Sequence, residues 1–321
     1  MLDFPIEDYD HGITCVDTGL GRPGLAACYL LEQKGRLAII ETGIATTVTR
    51  LLDLISERGF EFSQVDYVVI THVHLDHAGG AGGLIQALPN AKLVVHPQAA
   101  RHMIDPSKLQ AGAIAVYGEK RFQETYGELI PVAENRIIIA DDDTRLQLAD
   151  RPLRFYDTPG HARHHFCVYD QHSNGIFTGD TLGIVYRELC HSSSNFVMPS
   201  TTPVQFEPEK LKASIDRLYQ LAPDYFYLTH FGRVAADENH RQQMFQQVDH
   251  YVDIALRHAE DANRHQLIAD DLLELTLNGL KDYGSPISVI DQKDLVTMDM
   301  SINAQGLEVW LDKRKKHNKG Q

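Results

Sequence analysis

The sequence predicts an α/β protein of layered strands and helices. Two observations carry that expectation. Short runs rich in β-branched and aromatic residues recur through the first three quarters of the chain, punctuated by Gly, Pro, Asp or Asn. Stretches with helical apolar spacing lie between some of them, and that alternation marks layered α/β architecture rather than a pure sandwich.

In chain order, the strand-like runs are Gly12–Val16, Ala26–Leu31, Leu37–Ile40, Tyr67–Ile70, Lys92–Val95, Leu153–Tyr156, Phe166–Tyr169, Gly175–Phe177 and Tyr225–Leu228. Val48, Leu51, Leu52 and Ile55 make one helical stripe, ended by Gly59. Leu211, Ile215, Leu218 and Leu221 make a second, opened by Pro208 and closed before Pro223. Residues 97–130 read as a helical insert between core strands. Residues 237–283 read as further helix, with Met244, Val248, Tyr251 and Ala255 on one face. Beyond Gly284–Pro286 the sequence suggests two short strands and a solvated, disordered basic tail at Lys313–Lys316. The expected division is a core over residues 1–236, carrying the insert, and C-terminal helices with the tail over residues 237–321.

Composition narrows the function classes. The chain has 321 residues, 43% apolar and 23% charged, as in soluble globular proteins. Its formal charge of −14 argues against nucleic acid as a main partner, because phosphate binding needs a basic surface. The acidic first ten residues lack the apolar run of a secretory signal, and no stretch approaches the ~20 apolar residues of a membrane span. Cys15, Cys28, Cys167 and Cys190 show no paired spacing and read as buried thiols of a reducing compartment. The expected location is cytoplasmic.

The chemistry concentrates in Thr71-His72-Val73-His74-Leu75-Asp76-His77-Ala78-Gly79-Gly80, directly after an apolar strand. Three histidines and an aspartate within six residues place four metal donors on one short loop. Such a cluster is costly as mere structure, since buried imidazoles and carboxylates need partners. One loop cannot complete a two-metal site. Remote donors stand at three further predicted strand ends, each beside a glycine: His161 in Thr158-Pro159-Gly160-His161, Asp180 in Thr178-Gly179-Asp180, and His230 in Thr229-His230-Phe231-Gly232.

These motifs, in this order over residues 12–232, resemble the metallo-β-lactamase superfamily, and within it the hydrolases similar to glyoxalase II. The resemblance implies an αββα sandwich with the metals at one edge. By position it implies that His72, His74 and His161 bind a first metal, that Asp76, His77 and His230 bind a second, and that Asp180 bridges them. His165 matches the second histidine of the family's G-H-x-x-x-H segment and reads as a packing neighbour of the site. His164 is extra, and reads as a partly exposed residue that is not a ligand. Glu41-Thr42-Gly43 falls where the family often has Asp-x-Gly, and its expected role is to buttress the site. The residues around His230 depart from the family's usual Gly-His.

The resemblance implies a dinuclear hydrolase with a metal-bridging hydroxide as nucleophile, acting on an ester, thioester or lactone. Two divalent ions are the expected cofactors. All seven donors are nitrogen or oxygen, which suits zinc and also admits iron or manganese. Asp76 and Asp180 are the candidates for moving protons, with ligation their first role. No G-x-S-x-G nucleophile elbow occurs, and Ser192-Ser193-Ser194 reads as a polar loop. A phosphodiesterase or nuclease, an iron oxidoreductase and a non-catalytic binding protein remain as alternatives. The expected partners are a small-molecule substrate and, for assembly, a second copy of the chain, with neither nucleic acid nor membrane. Expected substrate walls are the insert, with Ile104, Leu109, Ile114, Val116, Tyr117, Phe122 and Tyr126, and the loop Leu182–Pro203, where Tyr186 and His191 are candidate hydrogen-bond donors.

Overall fold

A computed structural model describes residues 4–191, 194–201 and 204–319, and not the side chains of residues 116, 117 and 317–319. Two mixed β-sheets organise the chain. The first has seven strands in sequence order: β1 (Ile6–Tyr9), β2 (Ile13–Asp17), β3 (Ala27–Gln33), β4 (Arg36–Ile40), β5 (Val65–Val69), β6 (Lys92–Val95) and β7 (Ile137–Ile139). Strands β1 to β4 pair antiparallel, and β4 to β7 pair parallel. The second sheet runs β13-β12-β11-β10-β9-β8, from β8 (Arg145–Leu148), β9 (Arg151–Asp157), β10 (Phe166–Asp170), β11 (Gly175–Phe177), β12 (Tyr225–Leu228) and β13 (Gly232–Ala235).

The helices are α1 (Thr47–Glu57), α2 (Leu75–Ala78), α3 (Ala81–Ala87), α4 (Ala100–Ile104), α5 (Ser107–Tyr117), α6 (Glu119–Thr125), α7 (Pro208–Tyr219), α8 (Glu238–Arg257), α9 (Arg264–Tyr283) and α10 (Val289–Lys319). The chain separates into two compact units. One comprises Met1–Asp157, His164–Gly179 and Pro223–Arg233; the other comprises Thr158–Arg163, Asp180–Ala222 and Val234–Gln321.

In the first unit, alternation along the strands builds two cores. Ile13, Cys15, Tyr29, Ala38, Ile40 and Val69 of the first sheet meet Leu153, Phe155, Phe166, Val168, Phe177 and Tyr227 of the second in one buried cluster. The opposite residues of the first sheet, among them Val16, Cys28, Leu30, Ile39, Val68 and Leu93, pack under Leu51, Leu54 and Ile55 of α1 and Leu84 of α3. Removing one of the large buried rings, such as Phe155, would cost about 3–5 kcal/mol. One ion pair is sealed inside the unit. Arg151 Nη2 lies 2.6 Å from Asp170 Oδ2 and Arg151 Nε 2.9 Å from Asp170 Oδ1, with both side chains fully buried.

In the second unit, α8, α9 and α10 pack together through Met244, Val248, Tyr251, Ile268, Leu272, Leu280, Val296 and Met300, all nearly inaccessible. Here the structure corrects the sequence reading. The two expected strands after Pro286 and the disordered tail are one continuous helix, α10. Val296, Met300, Ala304, Leu307 and Leu311 recur every three or four residues and line its buried side. The β-branched Ile287, Val289 and Ile290 imitate a strand, but Ile287 lies in the bend before that helix and Val289 and Ile290, both exposed, open it. The basic stretch is helical too: Lys315 pairs with Glu260 at 2.8 Å and Arg314 lies over Trp310.

Each of the nine strand-like runs marked between Gly12 and Leu228 is a strand, within two residues at each end. The runs missed are β1, β7, β8 and β13. The insert is helical as expected, divided into α4, α5 and α6.

Candidate metal centre

Strand β5 delivers the loop. After Val69 and Ile70, both fully buried, the chain leaves the sheet as Thr71–His74, and the His74 carbonyl accepts from His77 N and Ala78 N to open α2. This turn carries Asp76 and His77 back over His72. His72 and His77 are fully buried, with ring centroids 4.0 Å apart. His72 Nε2 and His74 Nδ1 are 2.8 Å apart, so two imidazole nitrogens converge on one point.

Two donor groups result. One comprises His72, His74, His161 and Asp180; the other comprises Asp76, His77 and His230; within each, one ligand atom from every residue lies within 4.8 Å of the others. All seven sequence-predicted donors are thereby placed in one group or the other. Asp180 falls in the first group. His161 Nε2 stands 3.3 Å from Asp180 Oδ2, and His230 Nε2 stands 3.3 Å from Asp76 Oδ2. His77 Nε2 is 3.5 Å from the same Asp76 oxygen. Bonds of about 2.0–2.1 Å at the tetrahedral angle put neighbouring donors about 3.3–3.4 Å apart, so these spacings suit a metal ion.

The remaining imidazole nitrogens explain why the rings face this way. His72 Nδ1 lies 3.0 Å from Thr71 Oγ1, His77 Nδ1 lies 3.0 Å from Glu41 Oε1, His161 Nδ1 lies 3.0 Å from the Ser200 carbonyl, and His230 Nδ1 lies 2.7 Å from the Leu25 carbonyl. A carboxylate or carbonyl can only accept, which fixes the proton on Nδ1 of His77, His161 and His230 and leaves Nε2 with its lone pair. That is the orientation metal-binding histidines take. The donor set therefore fits the divalent ions expected of it.

Glu41 holds several parts at once. Nearly inaccessible and with φ of +65°, it accepts from Thr71 Oγ1, from Thr71 N at 3.3 Å and from Thr229 Oγ1 at 3.3 Å, besides His77. Its buttressing role, expected from the sequence, has this physical form: one carboxylate ties the loop after β5 to the residue preceding His230.

Two glycines set the approach of the remote donors. Gly160, with φ of +140°, lets the turn before His161 press on α7, where an added Cβ would stand 2.3 Å from Leu211 N. The α7 region also donates from Glu207 N to the Gly160 carbonyl at 2.7 Å and from Ser214 Oγ to the Pro159 carbonyl at 2.7 Å. At Gly179, with φ of +49°, a Cβ would meet His165 Nε2 and Thr71 Oγ1 at 2.5 Å. His165 is fully buried, 4.9 Å ring to ring from His72, and packs beside the site as expected.

Several expectations change. His164 is buried at 7% exposure, not partly exposed; its ring stacks 6.2 Å from His72 and meets His74 edge-on at 5.9 Å. Tyr186 is buried, and its hydroxyl donates to Asp299 Oδ2 of α10 at 3.0 Å, so it anchors a helix. His191 is exposed and lies against the Tyr283 ring. Of the three arginines near the donors in sequence, Arg163 pairs with Glu207 at 2.8 Å and Arg233 lies over Tyr9 and Tyr225. Arg187 begins a short 3-10 turn.

The insert does approach the metal loop. Phe122 and Leu129 share a buried cluster with Leu75, which separates His74 from Asp76, and Leu109, Ala113, Ile114 and Tyr126 pack on it. These apolar residues thus seat the insert, while Ile104 stays 38% exposed. The side chains of Val116 and Tyr117, and Ser192, Ser193, Thr202 and Pro203, lie outside the described residues.

Sequence reasoning missed the carbonyls of Leu25 and Ser200, because a backbone acceptor leaves no signature in residue type. It also missed Asn303 of α10. Asn303 accepts from Thr201 N at 2.7 Å and donates to the Pro199 carbonyl at 3.1 Å, and so clamps both neighbours of Ser200. Ser200 Oγ in turn donates to Asp180 Oδ2 at 3.2 Å. In α8, His240 Nε2 lies 2.8 Å from the carbonyl of Leu182, two residues after Asp180. Burial lowers the His240 pKa and keeps its ring neutral.

Comparison with known proteins agrees with this geometry. The sequence matches the profile of the metallo-beta-lactamase superfamily over residues 21–230. It is 26% identical, over 81% of this chain and 92% of the relative, to the metallo-beta-lactamase fold-containing protein ST1585 of Sulfurisphaera tokodaii. It is 27% identical, over 65% of this chain and 71% of the relative, to a hydroxyacylglutathione hydrolase of Maricaulis maris. The crystal structure of ST1585 from Sulfolobus tokodaii superposes with a TM-score of 0.64 at 22% identity, covering 93% of this chain and 99% of the other.

Proposed function

The chain belongs to the metallo-β-lactamase superfamily, and on that premise we propose that it is a dinuclear metal-dependent hydrolase of small carbonyl substrates. The observation carrying the proposal is the pair of donor groups, with His77, His161 and His230 each turned by an oxygen on Nδ1. His72, His74 and His161 would hold one ion, Asp76, His77 and His230 would hold the other, and Asp180 would serve both. Two divalent ions, when bound, supply an activated water at neutral pH and positive charge for a developing oxyanion.

The protein's own groups do the rest. Glu41 fixes the His77 tautomer and offsets the positive charge gathered there. Ser200 orients both His161, through its carbonyl, and Asp180, through its hydroxyl. Asp76 and Asp180 present carboxylate oxygens that can take up the proton released by water and return it to the leaving group. Zinc is the proposed metal, since nitrogen and oxygen donors suit it, and elemental analysis separates it from iron or manganese. The proposed location is cytoplasmic; no helix among the described residues is long and apolar enough to cross a membrane.

An ester or thioester is favoured over a phosphodiester because Arg163 and Arg233 are turned to Glu207 and to tyrosine faces, whereas phosphoryl sites collect free cations at the reacting centre. The hydroxyacylglutathione hydrolase relative supports the thioester reading. The test is kcat/KM of the metal-loaded protein for p-nitrophenyl acetate, an acyl thioester, a lactone and bis-p-nitrophenyl phosphate. A carbonyl substrate is expected to lead; a phosphodiester lead of about tenfold, or 1.4 kcal/mol in barrier, replaces the carbonyl reading.

A further inference from the structure

Helix α4 opens the insert and brings Arg101 and His102 to the surface beside an imidazole series. From His74, one step of 5.9 Å between ring centroids reaches His164, and a further step of 6.5 Å reaches His102. We propose that Arg101, His102 and His164 form a basic subsite that receives a carboxylate of the substrate, several bonds away from the reacting carbonyl. The proposal rests on the carbonyl-hydrolase reading and adds to it the class of acyl group.

Three features distinguish this place from an ordinary solvated surface. First, Arg101 and Lys108 have no carboxylate within 4.0 Å among the described residues, whereas Arg36, Arg58, Arg154, Arg241 and Arg257 each pair with one. The acidic residue on this stretch, Asp105, accepts instead from Ser107 N at 3.1 Å.

Second, Arg101 is already oriented. Its Nε donates to His102 Nε2 at 3.3 Å, which directs the proton of the His102 ring to Nδ1. Burial, then the charges of Arg101 and Lys108, lower the His102 pKa, so the ring stays a neutral donor while Arg101 supplies the charge. A guanidinium fork beside an N–H donor suits a planar carboxylate.

Third, the series begins at a proposed metal ligand. His164 is buried with its ring 6.2 Å from that of His72 and 5.9 Å from that of His74, and it is the histidine the family motif does not require. A substrate with its carbonyl at the donor groups and its acyl chain lying along these rings would end at Arg101. Phe122, Leu129 and their neighbours hold the insert on Leu75, so the spacing is set by a packed cluster.

The test uses metal-loaded protein and two matched thioesters, an adipyl thioester with its free carboxylate and the ω-methyl ester of the same compound. The wild type should favour the free acid by about tenfold in kcat/KM, chiefly through KM, and R101Q should bring the ratio to within about twofold. R101K should keep part of the preference, and added salt should weaken it. Calorimetric binding of adipate to wild type and R101Q is measured alongside and needs no turnover. If neither thioester is cleaved while R101Q weakens adipate binding about tenfold, the hydrolase reading fails and the subsite stands. A wild-type ratio near one, or a preference and adipate affinity that R101Q leaves unchanged, overturns the proposal.

Discussion

His77 Nδ1 lies 3.0 Å from Glu41 Oε1, and both side chains are almost completely buried. The contact fixes which nitrogen of His77 faces the second donor group, and it places a buried carboxylate directly behind that ring.

The first prediction follows from it. Glu41→Gln keeps the shape of the side chain but removes its charge, and the amide can offer an N–H where an acceptor is needed. Loss of such a supporting carboxylate typically weakens metal affinity about 10–100-fold. Competition with a chromophoric chelator should show that weakening for one of two ions. An unchanged affinity would mean that Glu41 supports the fold alone.

The loop after β5 was legible because three histidines and an aspartate in six residues have few uses besides metal binding. The strand-end placement of His161, Asp180 and His230 was legible because each follows a short apolar run and has a glycine within two residues. Other parts were not. β8 reads Arg-Leu-Gln-Leu and β1 is half-exposed and acidic, so neither shows a strong strand pattern. α10 was mistaken for strands because its first turn is β-branched, while its apolar stripe begins only at Val296. Asn303 stands 103 positions after Ser200 in the numbering, and no local pattern links an asparagine to a loop that far away.

Asp180→Ala should remove most activity together with one ion. Its carboxylate lies 3.3 Å from His161 Nε2 and accepts from Ser200, so its loss leaves His161 without its neighbouring donor. Metal content and kcat measured on one preparation check this. Full activity with unchanged metal content would show that Asp180 does not serve both ions.

Arg151→Met should be strongly destabilising. The substitution leaves the Asp170 carboxylate buried without its cation, although Ser173 and the His172 amide still donate to it. Breaking a buried pair from one side costs about 3–5 kcal/mol. Urea unfolding followed by tryptophan fluorescence should show a lower midpoint, and replacing both partners with apolar residues should recover part of the loss.

His258 should give stability a pH dependence. Its two ring nitrogens each lie 2.9 Å from a carboxylate, Asp271 and Asp261, and those hydrogen bonds, Asp271 first, raise its pKa above the ordinary histidine value. A raised folded-state pKa stabilises fully below the unfolded value and loses that stabilisation as pH rises through the folded value. Wild type minus His258→Gln, compared by thermal unfolding from acidic to alkaline pH, should shrink as pH rises. A difference that grows with pH would contradict the assignment.

The most direct test is metal stoichiometry. The protein, purified gently with added zinc, should hold close to two transition-metal ions per chain by inductively coupled plasma mass spectrometry, because two donor groups are built and oriented for them. A content below ~0.3 ion per chain would contradict the account, since no hydrolytic water could then be activated at His72, His74, His161, Asp180, Asp76, His77 and His230.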